Sequence, residues 1–286
     1  MKTSNKLLIA FAAVLIAVPV LVMAYFSKVY YTDAKNFTNL EKQNDSFDAK
    51  SESMEAIPLS QFSTISLADG KGINLYIRVI KDHKYGLKIN KQDKDLIKCS
   101  VNQAGQLQIA LTDKIKGHYN ISLFVYAPET KAINIDNASS ISLNAKGDSL
   151  LVNLKKFSDL KFDEATLFNK LSINADGLGT SSDAVNRIDI ESKITNSLHL
   201  NLKHSNFRSE SVSYQDLNIT SVGKNEIQVF GDRDNKEKFT IKNLYLTTID
   251  SANVTFKSID IANAKGSLSN QTSIQLPVIN LKQLLK

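Results

Sequence analysis

Two segments rich in side-chain oxygens are the nearest approach to a calcium site in this chain. One covers residues 174–183 and includes Asp176 and Asp183. The other consists of Asp232, Arg233, Asp234 and Asn235. Neither has the spacing of an EF-hand, with its central Gly and terminal bidentate Glu, or of a glycine-rich calcium repeat. The sequence therefore predicts two solvated turns and no metal site.

The histidines are the next candidates for metal binding. They are His83, His118, His199 and His204. Only the last two are close in sequence, and side chains five positions apart on a strand point to opposite faces. A structural zinc site needs four converging ligands. The pattern predicts no metal and no cofactor.

One charged segment gives the best case for catalysis. It contains Asp159, Lys161, Asp163 and Glu164. Glycosidases use two carboxylates about 5 to 10 Å apart, so a polysaccharide-active enzyme is the rival hypothesis. The sequence lacks the Asn-Thr-Asp and Gly-His-Gly tripeptides of polygalacturonase-like enzymes, and it lacks a Gly-x-Ser-x-Gly elbow. We therefore expect a charged strand face, no catalytic residue and a protein that is not an enzyme.

The N-terminal segment predicts where the rest of the chain resides. Residues 7–26 form an apolar run that follows Lys2 and Lys6. About 20 apolar residues of helix cross a bilayer, and basic residues stay on the cytoplasmic side. We predict a cytoplasmic stub over residues 1–6, a transmembrane signal-anchor over residues 7–26 in contact with the lipid bilayer, and a single-pass protein whose C-terminal part is periplasmic or extracellular. A signal peptide cleaved after Ala24 is the alternative.

Composition excludes several classes of protein. The chain has 286 residues, of which 42% are hydrophobic, and a net charge of +6. Its basic residues are interspersed with acidic ones and form no stripe with aromatic residues, so no nucleic-acid binding is predicted. The only cysteine, Cys99, cannot form an internal disulfide and alternates with polar neighbours, which is typical of a buried strand residue.

The remaining chain has the pattern of an all-β protein. Residues 27–60 are polar and predict a tether. Residues 62–126 alternate in period two and predict short antiparallel strands joined as a meander. After Thr130, apolar doublets such as Ile133/Ile135 and Leu171/Ile173 recur between polar segments, which favours a β-solenoid; a β-sandwich is the competitor. We predict one exported all-β domain over residues 62–276 and a C-terminal tail over residues 277–286.

The order of these strands resembles a known family. The segments that carry the resemblance are Phe62-Ser63-Thr64-Ile65-Ser66-Leu67, Gly72-Ile73-Asn74, Leu107-Gln108-Ile109, Val125-Tyr126-Ala127-Pro128 and Ile133-Asn134-Ile135. They resemble the autotransporter-adhesin "head GIN" domain, a domain of unknown function in exported proteins of Bacteroidetes, over residues 62–269. The resemblance implies an all-β, solenoid-like fold and a place outside the cytoplasm.

The chain departs from this family at its turns. Family members repeat Ser-Gly or Gly-Ser after the first strand of each coil. The corresponding segments are Asn137-Ala138-Ser139-Ser140, Ala175-Asp176-Gly177 and Ser251-Ala252-Asn253. We therefore expect the later coils to be less regular.

Together these features predict a membrane-anchored protein of the cell envelope. Its expected role is binding, adhesion or scaffolding, with an envelope glycan or another envelope protein as the partner. The alternatives are a polysaccharide-active β-helix enzyme and a purely structural component.

Overall fold

The structure is a computed structural model that describes residues 3–30, 46–115, 119–178, 186–232 and 236–285. The chain divides into two units, Met1–Asp45 and Ser46–Lys286. In the first unit, helix α1 covers Thr3–Tyr30 and includes Pro19. Over the residues that the structure describes, no helix combines the length and apolarity of a membrane span, so the predicted span over residues 7–26 is not confirmed.

The second unit is almost entirely β-structure in one continuous sheet. Its strands are β1 (Met54–Pro58), β2 (Thr64–Leu67), β3 (Asn74–Lys81), β4 (Gly86–Asn90), β5 (Ile97–Val101), β6 (Gln106–Leu111), β7 (Asn120–Ala127), β8 (Ala132–Phe162), β9 (Leu167–Asp176), β10 (Arg187–Ile190), β11 (Thr195–Lys203), β12 (Asn206–Glu210), β13 (Tyr214–Val222), β14 (Asn225–Phe230), β15 (Thr240–Ile249), β16 (Ala252–Lys257), β17 (Asp260–Ser267) and β18 (Ser273–Gln275). A 3-10 helix covers Lys91–Leu96, and helix α2 covers Val278–Leu284.

Successive coils stack through parallel pairing. One row of strands, the A face, runs from β9 through β11, β13 and β15 to β17. The other row, the B face, runs from β10 through β12, β14 and β16 to β18. The long strand β8 contributes to both rows, because it pairs with β9 and with β10. This arrangement is β-helix-like, as the apolar doublets predict.

The predicted antiparallel meander over residues 62–126 is wrong in its main pairings. Strand β2 is parallel to β6 and β8, and β3 is parallel to β7 and β8. Antiparallel pairing occurs in β1 with β4, β4 with β7 and β5 with β6. Period-two alternation reports which face of a strand is buried, but it carries no information about which strand lies beside it. This region therefore forms the first coils of the same stack.

The core consists of aliphatic side chains aligned from coil to coil. Leu171, Leu198, Leu217 and Leu244 are paired in register along the A face. Each of them is at most 1% exposed. A single coil has too few apolar side chains to bury them alone, so stacking supplies the burial that stabilises every coil.

Most corners between the A and B faces adopt left-handed backbone conformations at residues other than glycine. Asn137, Lys156, His204 and Asp250 have φ values of 57°, 49°, 50° and 69°, and Gly223 has 82°. Asn, Asp and His tolerate this region better than other non-glycine residues. The glycine-poor turns seen in the sequence thus keep the corner geometry, at a conformational cost that is largest at Lys156.

The N-terminal end of the stack is closed by residues that the sequence assigns to the tether. The second unit begins at Ser46, and β1 pairs with β4. Lys88 is 1% exposed, and its Nζ donates hydrogen bonds of 2.8 Å to the carbonyl oxygens of Ser46 and Ala49. Burial lowers the pKa of Lys88, against the opposing effect of Asp48 and Asp82. The domain therefore extends further toward the N-terminus than residue 62.

The C-terminal end is closed by helix α2, within the segment expected to be a tail. Leu284 and Asn280 are buried. The Nδ2 of Asn280 donates a 2.8 Å hydrogen bond to the carbonyl oxygen of Ile261, and the backbone N–H of Ala264 donates one of 2.8 Å to Oε1 of Gln283. The helix thereby satisfies backbone groups of β17, the last strand of the A face.

Gly231 provides a test of how tightly the coils stack. A Cβ atom at this position would lie 1.7 Å from the carbonyl oxygen of Ser258 in the next coil. Because that oxygen belongs to the backbone, Gly231→Ala should lower the free energy of unfolding by more than about 3 kcal/mol, the upper end of ordinary overpacking. Chemical denaturation measures the change.

Gly105→Ala is the matched control. Gly105 has a φ of 67°, and there is open space where an added Cβ atom would lie. Only the left-handed conformation is penalised there, at about 1 to 2 kcal/mol. Equal losses in the two variants would contradict the stacking described for Gly231 and Ser258.

Candidate binding groove

A groove on the second unit follows the A face across successive coils. Its volume is about 760 Å³. The outward side chains at equivalent strand positions along it are Ser66, Asn134, Asn153, Asn174, Asn201 and Thr220. The groove therefore runs along the stack and perpendicular to the strands, and its lining repeats once per coil.

Four asparagines in this groove form one hydrogen-bonded column, which we call the asparagine ladder: Asn134, Asn153, Asn174 and Asn201. Each Nδ2 donates to the Oδ1 of the preceding asparagine, at 2.7, 2.7 and 2.6 Å. The sequence separations are 19, 21 and 27 residues. Irregular spacing in the sequence thus becomes a regular column, because parallel pairing sets the distance between coils at about 4.8 Å.

A second column in the groove consists of charged residues and is called the charged row: Asp136, Lys155, Asp176 and Lys203. Each lies two residues after an asparagine of the ladder, on the same face of its strand. Lys203 Nζ lies 3.1 Å from Asp176 Oδ2. Asp136 has one buried carboxylate oxygen, Oδ1, without a hydrogen-bond partner. The row alternates in sign along the groove.

The Asp176 carboxylate is held ionised. Burial opposes its charge, but hydrogen bonds from the backbone N–H of Leu178 and from Lys203 outweigh this effect and lower its pKa. The Leu178 bond is 3.1 Å long. Lys155 lies in register with Asp176, yet within the described residues no ion pair holds its ammonium group. Asp176 is thus engaged inside the protein, whereas Lys155 is available to a ligand.

A second polar column lies on the A face outside the groove. Asp216 accepts hydrogen bonds of 2.8 Å from Ser197 Oγ and from Asn243 Nδ2. The bonds from Asn243 and Ser197 lower the pKa of Asp216. Asn263 Nδ2 then donates to Asn243 Oδ1 at 3.2 Å. These residues stabilise the later coils and do not line the groove, which makes them useful controls.

Two features extend the A face beyond the groove. Thr220 is paired in register with Thr247, so the column of the asparagine ladder continues into the next coil as hydroxyls. Tyr245 lies two residues before Thr247 and is 44% exposed. An exposed tyrosine gives an aromatic surface with a polar hydroxyl.

The charged set considered for catalysis does not line the groove. Asp159 Oδ2 accepts a 2.6 Å hydrogen bond from Ser140 Oγ. Lys161 lies in register with Asp189 on the B face, and Asp163 accepts from the backbone N–H of Ala165 within a turn. Glu164 is exposed in that turn. These residues serve strand and turn structure, and the structure does not bring them to the groove.

The described histidines are also separate from one another. His83 Nδ1 lies 2.9 Å from Asp82 Oδ1 on an exposed turn. His199 is on the outer side of β11, and His204 is at a corner. His118 lies outside the described residues, as do Asp183, Arg233, Asp234 and Asn235. Across the described ranges no three His, Cys, Asp or Glu residues are grouped to hold a metal ion. Cys99 is half-buried, and burial raises the pKa of its thiol.

The sequence contains a signal for the asparagine ladder that the strand analysis missed. An asparagine stands between two apolar residues in four segments: Ile133-Asn134-Ile135, Val152-Asn153-Leu154, Ile173-Asn174-Ala175 and Leu200-Asn201-Leu202. Of these segments, only Ile133/Ile135 is among the doublets that predict the solenoid, and the doublet Leu171/Ile173 encloses Ser172 instead. Alignment of the four segments on their central asparagine would have placed the four amides in one column.

Comparisons with known proteins find likeness only among solved structures. No family model matches the chain, and no curated protein matches it. A structure named as a putative adhesin from Parabacteroides merdae has 16% identity and a TM-score of 0.45, covering 78% of this chain and 90% of that one. A putative adhesin from Bacteroides fragilis has 15% identity and a TM-score of 0.34, covering 77% and 91%. A putative lipid binding protein from Parabacteroides distasonis has 15% identity and a TM-score of 0.32, covering 78% and 92%.

The head GIN resemblance rests on the sequence segments that carry it.

His199 makes the stability of the A face depend on pH. Its Nε2 lies 2.6 Å from Asn218 Nδ2, so the neutral ring accepts this hydrogen bond. Burial, aided by Lys170, lowers the pKa of His199 below 6.5. The imidazole of the unfolded chain therefore binds a proton more readily than that of the folded chain. The stability that neutral His199 contributes is complete above pH 6.5, and it is lost as the pH falls through the folded-state pKa.

We expect His199→Gln to lose less stability than the wild type on acidification from about pH 7.5 to about pH 5, because glutamine does not titrate. Thermal unfolding in matched buffers of constant ionic strength measures the difference. Parallel pH profiles for the two proteins would show that His199 does not cause the dependence.

Proposed function

We propose that this protein is a binding module of the cell envelope and that the groove on the A face is its contact surface. The partner in this proposal is an extended polymer, either an envelope glycan or a segment of another envelope protein. The observation that carries the proposal is the asparagine ladder, which places four identical amides in a single line along a groove of about 760 Å³.

The geometry of the groove suits a long ligand. Each asparagine is attached to a strand that is paired on both sides, so the amides are already ordered before a ligand arrives. Binding to an ordered surface costs less conformational entropy than binding to flexible loops. A ligand that lies along the stack meets the same group in every coil, and weak contacts add up over its length.

A polysaccharide-active enzyme is the second candidate, because the groove contains two carboxylates. Asp136 and Asp176 lie two coils apart, or about 10 Å, with Lys155 between them. This separation is near that of inverting glycosidases. Such an enzyme needs one carboxylic acid with a raised pKa, and Asp176 does not meet this requirement, because the Leu178 amide and Lys203 lower its pKa. Asp176 fits only the role of the ionised base, and we propose binding without cleavage as the function.

The binding proposal is tested with intact cell envelopes. We expect the double variant Asn153→Ala, Asn174→Ala to bind envelopes at least about ten-fold more weakly than the wild type, because two central amides each contribute about 1 kcal/mol. The measurement is co-sedimentation of the purified full chain with envelope fragments, together with release of reducing ends as an assay of cleavage.

Asn243→Ala is the matched control. Like Asn174, Asn243 is half-buried and hydrogen-bonded to the next coil, but it lies outside the groove. Equal binding by all three proteins would rule out the groove as the contact surface, and no binding by any would favour a purely structural role. Release of reducing ends that Asp176→Asn abolishes would establish the enzyme instead.

We also propose that residues 46–286 act outside the cytoplasm and that residues 7–26 are retained as an anchor. This proposal rests on the sequence, in which the apolar run follows two lysines. We expect an intact N-terminus in the mature protein and resistance of the membrane-bound chain to alkaline carbonate. Mass analysis of the mature chain decides, since a chain that begins at Tyr25 would identify a cleaved signal peptide.

A further inference from the structure

We infer that the ligand of the groove is an uncharged glycan that lies along the stack with about one sugar per coil. This inference rests on the proposed function of the groove and names its ligand. It is carried by three properties of the lining: the spacing of the asparagine ladder, the hydrogen-bonding groups that the ladder leaves unused, and the balance of the charged row.

The spacing of the ladder separates glycans from peptides. Adjacent asparagines stand one coil apart, about 4.8 Å. An extended peptide presents the side chains of one face at every second residue, about 6.8 Å apart. Its side chains therefore no longer coincide with the asparagines after two coils. A pyranose unit with its bridging oxygen is close to one coil in length. A linear glycan can therefore place one sugar opposite each successive asparagine.

The unused groups of the ladder match hydroxyls. A carboxamide offers two N–H donors and an oxygen with two lone pairs. Within the ladder, Asn153 uses one donor toward Asn134 and one lone pair toward Asn174, and Asn174 does the same toward its neighbours. Among the residues that the structure describes, one donor and one lone pair remain on each. A sugar hydroxyl both donates and accepts, so it can satisfy both, whereas a carboxylate or phosphate only accepts.

The charged row argues against a charged polymer. Asp136 and Asp176 alternate with Lys155 and Lys203, and the four charges sum to zero. A polyanion lying along the groove would meet as many carboxylates as ammonium groups. The one ammonium without an ion pair, that of Lys155, lies between coils that carry Asp136 and Asp176. Net attraction of a polyanion is therefore absent, and binding should depend little on salt.

The number of coils sets the length of the site. The column contributes six residues to the groove, from Ser66 to Thr220. Beyond it, Tyr245 offers an exposed ring on the same face. Sugar rings stack on aromatic surfaces of this kind through their apolar C–H groups. The affinity should thus rise with chain length up to about six sugars, at one sugar per coil, and should change little for longer chains.

The experiment is calorimetry on the full chain with defined oligosaccharides. The probes are β-linked oligomers of glucose and of N-acetylglucosamine, oligogalacturonides of equal length, and an unstructured peptide. We expect at least one neutral series to bind, with an affinity that levels off at about six sugars and changes less than about two-fold between about 50 and about 500 mM salt. The peptide and the oligogalacturonides should bind at least about ten-fold more weakly.

The variants connect this binding to the groove. Asn153→Ala with Asn174→Ala should weaken glycan binding at least about ten-fold, and Asn243→Ala should leave it unchanged. Tighter binding of oligogalacturonides with an affinity that falls with salt, or an affinity that does not depend on chain length, would overturn the inference. Both results are obtained on the wild-type chain and do not depend on whether a variant folds.

The outcome also separates this inference from the proposed function. If envelopes bind through the groove but no neutral oligosaccharide does, the groove remains the contact surface and the identity of the ligand is wrong. If the ladder variants bind envelopes as well as the wild type does, the proposed function itself fails.

Discussion

In-register parallel stacking of coils is the constraint on which the rest of this structure depends. The spacing between paired strands is fixed by their hydrogen bonds, so whatever one coil places at a position is repeated about 4.8 Å away if the next coil has the same residue type there. On the inner side this produces the column of Leu171, Leu198, Leu217 and Leu244. On the outer side it produces the asparagine ladder. In-register pairing thus accounts for the aligned side chains of both the core and the groove.

A stack of this kind needs closed ends, because an open strand edge would pair with other chains. The two ends of this domain are closed by different means. At the N-terminal end, buried Lys88 binds the carbonyl oxygens of Ser46 and Ala49. At the C-terminal end, Asn280 and Gln283 of helix α2 bind the backbone of β17. At the N-terminal end the lysine holds the closing segment in place, whereas at the C-terminal end the side chains satisfy backbone groups that a further coil would otherwise pair.

The sequence predicts the repeated part of the fold better than its beginning. Apolar doublets such as Leu171/Ile173 mark inward positions, and inward positions are what stacking repeats. For β2 and β3 the alternation of residues is equally clear, yet their partners β6, β7 and β8 are distant in sequence and leave no local signal. The end closures were missed for a related reason. Lys88 is buried by contacts with residues 46–49, and a lysine in a short strand gives no indication of burial by itself.

The groove was missed because the separations within the ladder are unequal. From Asn153 to Asn174 the chain advances 21 residues, whereas from Asn174 to Asn201 it advances 27. The longer coil has more residues between β9 and β10, and the paired positions of β9 and β11 stay in register. A search for a fixed period therefore fails even though the structure is periodic. The residue type between the two apolar neighbours is the better guide.

In the proposed binding mode the same amides serve stability and recognition, and this dual role follows from their position. An outward asparagine on an inner coil must bond to its neighbours above and below, or its amide would rely on water alone. Those two bonds fix the orientation of the side chain, and within the described residues they leave one donor and one lone pair of the amide for a ligand. The ordering of the amides is thus accomplished when the domain folds. A ligand that matches their spacing gains hydrogen bonds without ordering the protein side chains, which is why a rigid stack suits the binding of a long polymer with weak contacts at each unit.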